Sequence, residues 1–389
     1  MKSGSHSPEI RGWCPGALRP MQSGDGLVVR VRPCEGRLTQ DQAQGIANLS
    51  ARFGNGQLDL SGRANIQIRG VIDTTHGPLI DGLASLGLID RSAGAEARRN
   101  IIVTPFWWAG DGTSDLAARL ALALADKDAP LTPGKFGYAL DTGPCPVLRE
   151  ASADIRLERD VEGQLLVRAD GAARGLRVNG ETAPAMALDL ARWFMDTGGA
   201  PQGRGRMAAH LRKVGLPERF ATHPAAVATA PIPRPGTGPN GVLVGLEFGQ
   251  LRAETLSDLA RLGPIRVTPW RMLLIEDAIR VPDLPGLITR PDDPMLAVIA
   301  CTGAPGCPQA LAATRPLARA LAPFVPPGRL LHVSGCAKGC AHPGSAPLTL
   351  VATAAGTFDL IRDGTAADTP RLTGLSPKVL AGSPALLTE

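Results

Sequence analysis

Four cysteines near the carboxyl end fall into two pairs. CTGAPGC places five residues between Cys301 and Cys307, GCAKGCAHPG places three between Cys336 and Cys340, and 28 residues separate the pairs. Thiolates are soft ligands, and a cubane iron–sulfur cluster takes one at each iron corner. The pattern points to a 4Fe–4S cluster on Cys301, Cys307, Cys336 and Cys340. If Cys336 to Cys340 is a helical turn, those two side chains stand about 5–6 Å apart, which suits two corners of one cluster. Gly303, Gly306, Gly335 and Gly339 remove bulk and leave backbone N–H groups free to face sulfur. The rival is a structural zinc held by the same four cysteines, but such sites favour close pairs such as C-x2-C, which gaps of five and three fit poorly. Four unligated thiols are the plain alternative.

The remaining cysteines, Cys14, Cys34 and Cys145, are scattered. Cys14 could ligate a mononuclear non-haem iron or lie near a ligand; a buried inert thiol is the commoner fate. Cys34 and Cys145 read as inert. His332 and His342 flank the second cysteine pair. Donating a ring N–H to a sulfide, or packing the loop, suits them better than ligating a second iron. An odd cysteine count argues against a disulfide framework and fits a reducing cytoplasm.

The elements that must position these groups come in repeats. Leu27–Val31 reads as a strand, Thr39 as the cap of a helix to about Phe53, and Asn55-Gly56 as a turn. Leu58–Leu60 and Asn65–Val71 read as two more strands, with Ile66 and Ile68 on one face and Gln67 and Arg69 on the other. The same order returns as strand Val242–Phe248, helix Glu254–Leu262, and strands Ile265–Thr268 and Met272–Ile275. Arg63 in one copy answers to Arg271 in the other, so we read a duplication, with two unrelated α/β units as the alternative. Between the copies lie helices Asp115–Asp126 and Ala187–Asp196 and a strand pair, Ile155–Glu158 with Leu165–Arg168. Ala297–Ala300 and Leu331–Val333 read as strands feeding the two cysteine loops, with a helix Leu311–Leu321 between them. The expected domains are 1–80, an arm with the first half-domain; 81–225, an α/β unit; 226–240, a linker; 241–290, the second half-domain; and 291–389, the cluster-binding α/β unit.

Composition narrows the partners. The 389 residues are 44% hydrophobic and 20% charged, which suits a soluble globular chain. Aromatics are only 4%, too few to stack single-stranded nucleic acid. The net charge of +5 is almost all arginine, 35 Arg against 6 Lys. A GC-rich genome explains that bias, and so does a pocket for a polycarboxylate, which arginine grips with a planar fork. No run of five basic residues occurs, so no extended nucleic-acid or membrane-surface patch is expected. No stretch of 18 apolar residues occurs, and MKSGSHSPEI holds no apolar core of signal-peptide length, so neither a span nor a leader is expected. No G-x-G-x-x-G fingerprint marks a dinucleotide-binding domain.

C-x5-C followed by C-x3-C resembles the cluster motif of the sulfite and nitrite reductase superfamily. LSGRANIQIRG (Leu60–Gly70) is similar to that superfamily's arginine-containing strand before its porphyrinoid pocket, and ARRNIIVTP (Ala97–Pro105) to its second Arg-Asn segment. The repeated β-α-β-β units match its ferredoxin-like half-domains. Within it, the opening GWCPGALRPMQSGDGLVVRVRP resembles the precorrin-3B synthase family of aerobic cobalamin biosynthesis. The resemblance implies an α+β fold of two pseudo-symmetric halves with a ligand cleft between them. It implies O2-dependent hydroxylation of precorrin-3A at C20 with closure of a γ-lactone by a ring acetate. Electrons are then expected from a reduced nicotinamide cofactor, through a donor protein or directly. Arg63, Arg69 and Arg99 fall on segments that face the porphyrinoid; Asn65, Gln67 and Lys135 are further candidates for the same ligand. The sulfite reductases carry two lysines spaced K-x-K at their anion site, whereas LTPGKFGYAL has Lys135 and then Gly137. That departure counts against the rival reading, a sirohaem sulfite or nitrite reductase. A non-catalytic iron–sulfur electron carrier is the rival from another class.

Overall fold

The computed structural model describes residues 15–389 except 228, 354, 355, 388 and 389. Cys14 lies outside the described residues. In the first half, strand β1 (Gly26–Val31) leads through a tight turn to the short strand β2 (Arg37–Leu38), helix α1 (Gln40–Phe53), and strands β3 (Gln57–Leu60) and β4 (Ile66–Val71). Thr39 and Gln42 form a capping box at the start of α1, as the sequence predicts. In the second half, β5 (Gly241–Leu246) leads through an equivalent turn to β6 (Gln250–Arg252), α2 (Ala253–Ala260), β7 (Ile265–Val267) and β8 (Met272–Ile275).

The two turns repeat in detail. Glu35 and Phe248 both adopt left-handed backbone, φ 58° and 56°, and each is followed by a left-handed glycine, Gly36 and Gly249. After its turn, each short strand joins the sheet of the other half. β2 pairs with β7, Leu38 opposite Ile265, and β6 pairs with β3, Leu251 opposite Leu58. The sheet orders are therefore Met21–Ser23, β1, β4, β3, β6 and Gly236–Gly238, β5, β8, β7, β2. α1 packs on α2, and one apolar core joins both sheets, including Ile46, Leu58, Ile68, Leu256 and Leu273. Duplication is thus written into backbone conformation as well as element order.

Each half also carries an α/β sheet with a shared plan: three parallel strands, then antiparallel ones. In the first sheet the parallel strands are Ile101–Val103, Tyr138–Asp141 and Ile155–Arg159. In the second they are β9 (Val298–Ala300), β10 (Leu331–Ser334) and β11 (Ala346–Ala352), followed by β12 (Phe358–Gly364) and β13 (Leu372–Leu375). The fold is α+β and sulfite/nitrite reductase-like.

Several local expectations give way. The strand expected to Phe248 stops at Leu246, because Phe248 is left-handed. The helix expected from Leu311 begins at Arg315, because Leu311 N–H donates to Gly335 O and Ala304 N–H takes Ala312 O. Cys336–Cys340 is a turn and not a helical one, since Gly339 has φ 59°. Helix Asp73–Ser85 has no counterpart in the sequence reading. Gly77, Pro78 and Gly82 mask it, and burial of Leu79 and Leu83 on one face holds it.

Candidate functional site

The cysteine loops leave the ends of neighbouring parallel strands. Cys301 follows β9 directly, and Cys336 lies two residues beyond β10. Three bonds stitch the loops together: Cys301 N–H to Val333 O at 3.3 Å, Leu311 N–H to Gly335 O at 2.8 Å, and Gly335 N–H to Cys301 Sγ at 3.1 Å. A Cβ on Gly335 would stand 2.8 Å from Ala310 Cβ and 3.4 Å from Cys301 Sγ, so glycine is required by the close approach. Thr314 Oγ1 donates to Cys301 O at 2.8 Å, and Cys307 N–H closes onto Gly303 O at 2.8 Å.

The four thiols lie within electrostatic reach of one another. Burial pushes the Cys336 and Cys340 thiols up, and Cys301 and Cys307 each add to that rise. A bound metal reverses this, because its charge deprotonates a coordinating thiol. The donor set, the glycine cradle and the N–H aimed at Cys301 Sγ fit a cluster with one thiolate per corner. Among the described residues, no three His, Cys, Asp or Glu side chains are arranged to hold a single metal ion. His332 is fully buried, with neither ring nitrogen partnered, and its ring centroid is 5.7 Å from that of His342. Burial, then the neighbouring His342 and Arg271, push its pKa down to about 4, so the imidazole is neutral.

The first core sheet has one apolar and one polar face. Register sets Val29, Ile68, Leu58 and Leu251 side by side, facing α1 and α2. The next row, Arg30, Gln67, Asp59 and Gln250, faces the other way. Asn65 and Arg69, two residues either side of Gln67, share its face because strand side chains alternate. This polar face meets the cysteine loops. Gly306 O, beside Cys307, receives Ser23 Oγ at 3.0 Å, Gly24 N–H at 3.2 Å and Arg69 Nη2 at 3.5 Å. The corresponding row of the second sheet is Leu243, Leu274, Arg266 and Arg37: its central strands are apolar there, with Leu243, Met272 and Leu274 packed together, and its outer strands carry two arginines that pair with Glu276. The halves match in fold and differ in chemistry.

The six candidate ligand-binding residues do not form one cluster. Asn65, Gln67 and Arg69 stand together on the polar face. Asn65 is 4% exposed, and its Nδ2 has no partner. Arg69 is held by Asp25, at 2.6 and 3.0 Å. Arg63, on the β3–β4 loop, donates to Lys135 O at 2.7 Å and Ser152 Oγ at 3.1 Å, so Arg63 and Lys135 form a second group. A Cβ on Gly137 would stand 2.9 Å from Arg63 Nη1, so this arginine fills the space beside the glycine. Arg99 sits apart. It forks onto Asp90 at 2.7 and 2.8 Å and donates to Arg32 O, and the Asp90 hydrogen bond and charge outweigh the cost of its burial, so its pKa is raised.

The sequence reading missed Arg30, Arg32, Asp59 and Arg315. The alternation V-R-V-R at Val29–Arg32 is a strand signal that could have found the first two.

The family profile described as nitrite/sulfite reductase ferredoxin-like half domain matches residues 19–86, which is the first half-domain built above. The precorrin-3B synthase of Sinorhizobium sp is 30% identical over 394 residues, 92% of this chain and 84% of that protein. The chain belongs to the precorrin-3B synthase family. A ferredoxin–nitrite reductase of Synechococcus elongatus is 25% identical over 86% of the chain and 77% of its own length. The solved structure of the Mycobacterium tuberculosis NirA protein superposes with a TM-score of 0.61 at 19% identity, over 92% of this chain and 79% of that one. The last likeness is one of fold. Among the described residues, no helix is long and apolar enough to cross a membrane.

Proposed function

We propose that this protein is a precorrin-3B synthase, a monooxygenase that hydroxylates precorrin-3A at C20 with O2 and closes a γ-lactone from a ring acetate. The observation that carries the reading is the 30% identity to a precorrin-3B synthase across nearly the whole chain. Cys301, Cys307, Cys336 and Cys340 would hold a 4Fe–4S cluster, which supplies one-electron transfer when bound. Electrons would come from a reduced nicotinamide through a donor protein. The four glycines keep the cysteine loops close, and Gly335 N–H bonds the Cys301 sulfur. Asn65, Gln67 and Arg69 would orient the substrate's carboxylates along the polar face. Arg63 and Lys135 would meet another edge of the ring. Arg99 would act from its fork with Asp90, which leaves it the least free of the six.

The rival reading, a sirohaem reductase, has one feature against it. The residue two beyond Lys135 is Gly137, and Arg63 occupies the space where its side chain would begin. One experiment separates the two. Incubate anaerobically purified protein with precorrin-3A, a nicotinamide-driven reductase and isotopically labelled O2, and read the product by mass spectrometry. Gain of one labelled oxygen atom in a lactone-bearing product is expected. No such product, with a bound sirohaem that turns over nitrite or sulfite, would replace this reading with the reductase.

A further inference from the structure

Ser152 stands where the first half-domain meets the first α/β unit. It is half-buried in the loop that leads into the strand Ile155–Arg159. Two guanidinium groups bond its hydroxyl oxygen. Arg63 Nη2, from the β3–β4 loop, donates to Ser152 Oγ at 3.1 Å. Arg206, the residue before the helix Met207–Val214, donates to it through Nη1, also at 3.1 Å. The two arginines therefore stand side by side, and each is fixed from behind. Arg63 Nη2 also donates to Lys135 O at 2.7 Å. Arg206 Nε bonds both oxygens of Asp154, at 2.9 and 3.1 Å, and its Nη2 donates to Ala153 O at 3.1 Å. Asp154 is fully buried and is held in turn by Gly137 N–H at 3.1 Å and Met207 N–H at 2.8 Å. Arg206 is thus anchored along its inner edge, while its side chain remains 39% exposed. A serine hydroxyl has two lone pairs that accept and one proton that donates. At Ser152 both lone pairs are taken by cations. Only the proton is left, and among the described residues it has no acceptor.

We propose that Ser152 binds one carboxylate of the substrate, with Arg206 as the positioning residue that aims its hydroxyl. The inference rests on the reading under Proposed function, in which Arg63 and Lys135 meet one edge of the tetrapyrrole, and it adds Ser152 and Arg206 to that edge. A hydroxyl whose oxygen already accepts from two cations is polarised, so its proton bonds an anionic acceptor more strongly than an isolated hydroxyl does. A carboxylate placed there takes the Ser152 proton, and the guanidinium groups behind the oxygen offset its charge. An esterified or protonated carboxyl group gains less from the same place, so the contact selects for the ionised form. Asp154 serves a different end. Its bonds to Arg206 hold the guanidinium against Ser152 and tie both to the start of the helix Met207–Val214.

The test is anaerobic absorbance titration of the holoprotein with precorrin-3A, with urea unfolding of each variant beside it. Ser152→Ala should weaken binding about ten- to a hundredfold at unchanged iron content, the effect of losing a hydrogen bond to a charged acceptor. Ser152→Thr keeps the hydroxyl and should bind close to wild type. Arg206→Gln should weaken binding and also flatten its dependence on salt, because a positive charge beside the anion is gone. A bridge that only holds the loops together would lower stability and leave the salt dependence as it is, and that result would overturn the role given to Arg206. Wild-type affinity in Ser152→Ala would overturn the proposal. So would equal losses in Ser152→Ala and Ser152→Thr, since the hydroxyl would then not be the binding group. If Ser152→Ala fails to fold, Arg206→Lys decides. It keeps a charge beside Asp154 and loses the planar fork, so weaker binding sustains the proposal and wild-type affinity overturns it. Wild-type protein that binds no precorrin-3A would reject the reading under Proposed function, which is a separate result.

Discussion

Asn65 offers a test in which stability and binding move in opposite directions. Its side chain is buried on the polar face, its backbone N–H reaches Ser61 Oγ at 3.3 Å, and its Nδ2 donates to nothing. A buried donor left unpaired costs about 1–3 kcal/mol. Leucine has nearly the same shape and no polar atom, so Asn65→Leu should stabilise the unliganded protein by about that amount. The same change removes a donor from the surface proposed to meet the substrate. A hydrogen bond to a charged acceptor contributes roughly 1.5–3 kcal/mol. Loss of one to a precorrin carboxylate should therefore weaken binding about ten- to a hundredfold, since each 1.4 kcal/mol is about tenfold. Urea unfolding of the unliganded protein gives the first quantity, and anaerobic absorbance titration with precorrin-3A gives the second. A variant that is more stable and binds as well as wild type would show that Asn65 does not face the substrate. A less stable variant would show that the amide has a partner after all.

Other changes probe the rest of the molecule. Cys336→Ser should remove iron, sulfide and visible absorption together; a full four-iron content in that variant would sink the cluster assignment. Arg69→Ala strips Asp25 of its partner and frees Gly306 O, so it should cost about 3–5 kcal/mol of stability and speed iron loss to a chelator; unchanged unfolding would refute this. Asp141 is 3% exposed, and burial chiefly raises its pKa from 3.8 to about 6. A raised carboxyl pKa stabilises the fold below about pH 4 and loses that contribution as pH rises through about 6. At 1.36 kcal/mol per unit, Asp141→Asn should gain about 3 kcal/mol relative to wild type as pH rises between those limits. Its amide oxygen can still accept from Val147 and Leu148 N–H, both at 2.7 Å in the native protein. A pH-independent difference between the two proteins would disprove the assignment.

Local signals made much of the fold readable. Thr39 and Gln42 announce α1, and Ile66 and Ile68 alternating with Gln67 and Arg69 announce β4 and its two faces. Those signals are sequence-local. The exchange of β2 and β6 between sheets is not, because two- and three-residue strands carry no periodicity of their own. Their position follows from left-handed Glu35 and Phe248, residue types that give no hint of that conformation. The cysteine spacing left open whether Cys336 to Cys340 is a helical turn, and the structure makes it a non-helical one. Gly339 looks like space for sulfur in the sequence and acts as a left-handed turn residue in the structure. Arg99 shows the converse difficulty. Its type and segment suggest a ligand contact, but nothing nearby in sequence reveals that Asp90 takes its fork.

The broken symmetry between the halves is the step that connects fold to chemistry. Two copies of one unit exchange strands and share a core, so neither can drift in backbone without disturbing the other. Side chains on the outward faces escape that constraint. On its two central strands the first copy carries Arg30, Asn65, Gln67 and Arg69, where the second carries Leu243, Met272 and Leu274 and keeps Arg266 and Arg37 on its outer strands. The flanking α/β units divide in the opposite sense. Loops after the parallel strands carry the four clustered cysteines only in the second half; in the first, the loop after Asp141 holds the single Cys145. The arginine face of one half therefore meets the cysteine loops of the other, and Arg69 on Gly306 O is one of the contacts between them. A tetrapyrrole with many carboxylates and a cluster with anionic thiolates both need positive charge beside them. Under the proposed function, one sheet face would serve both.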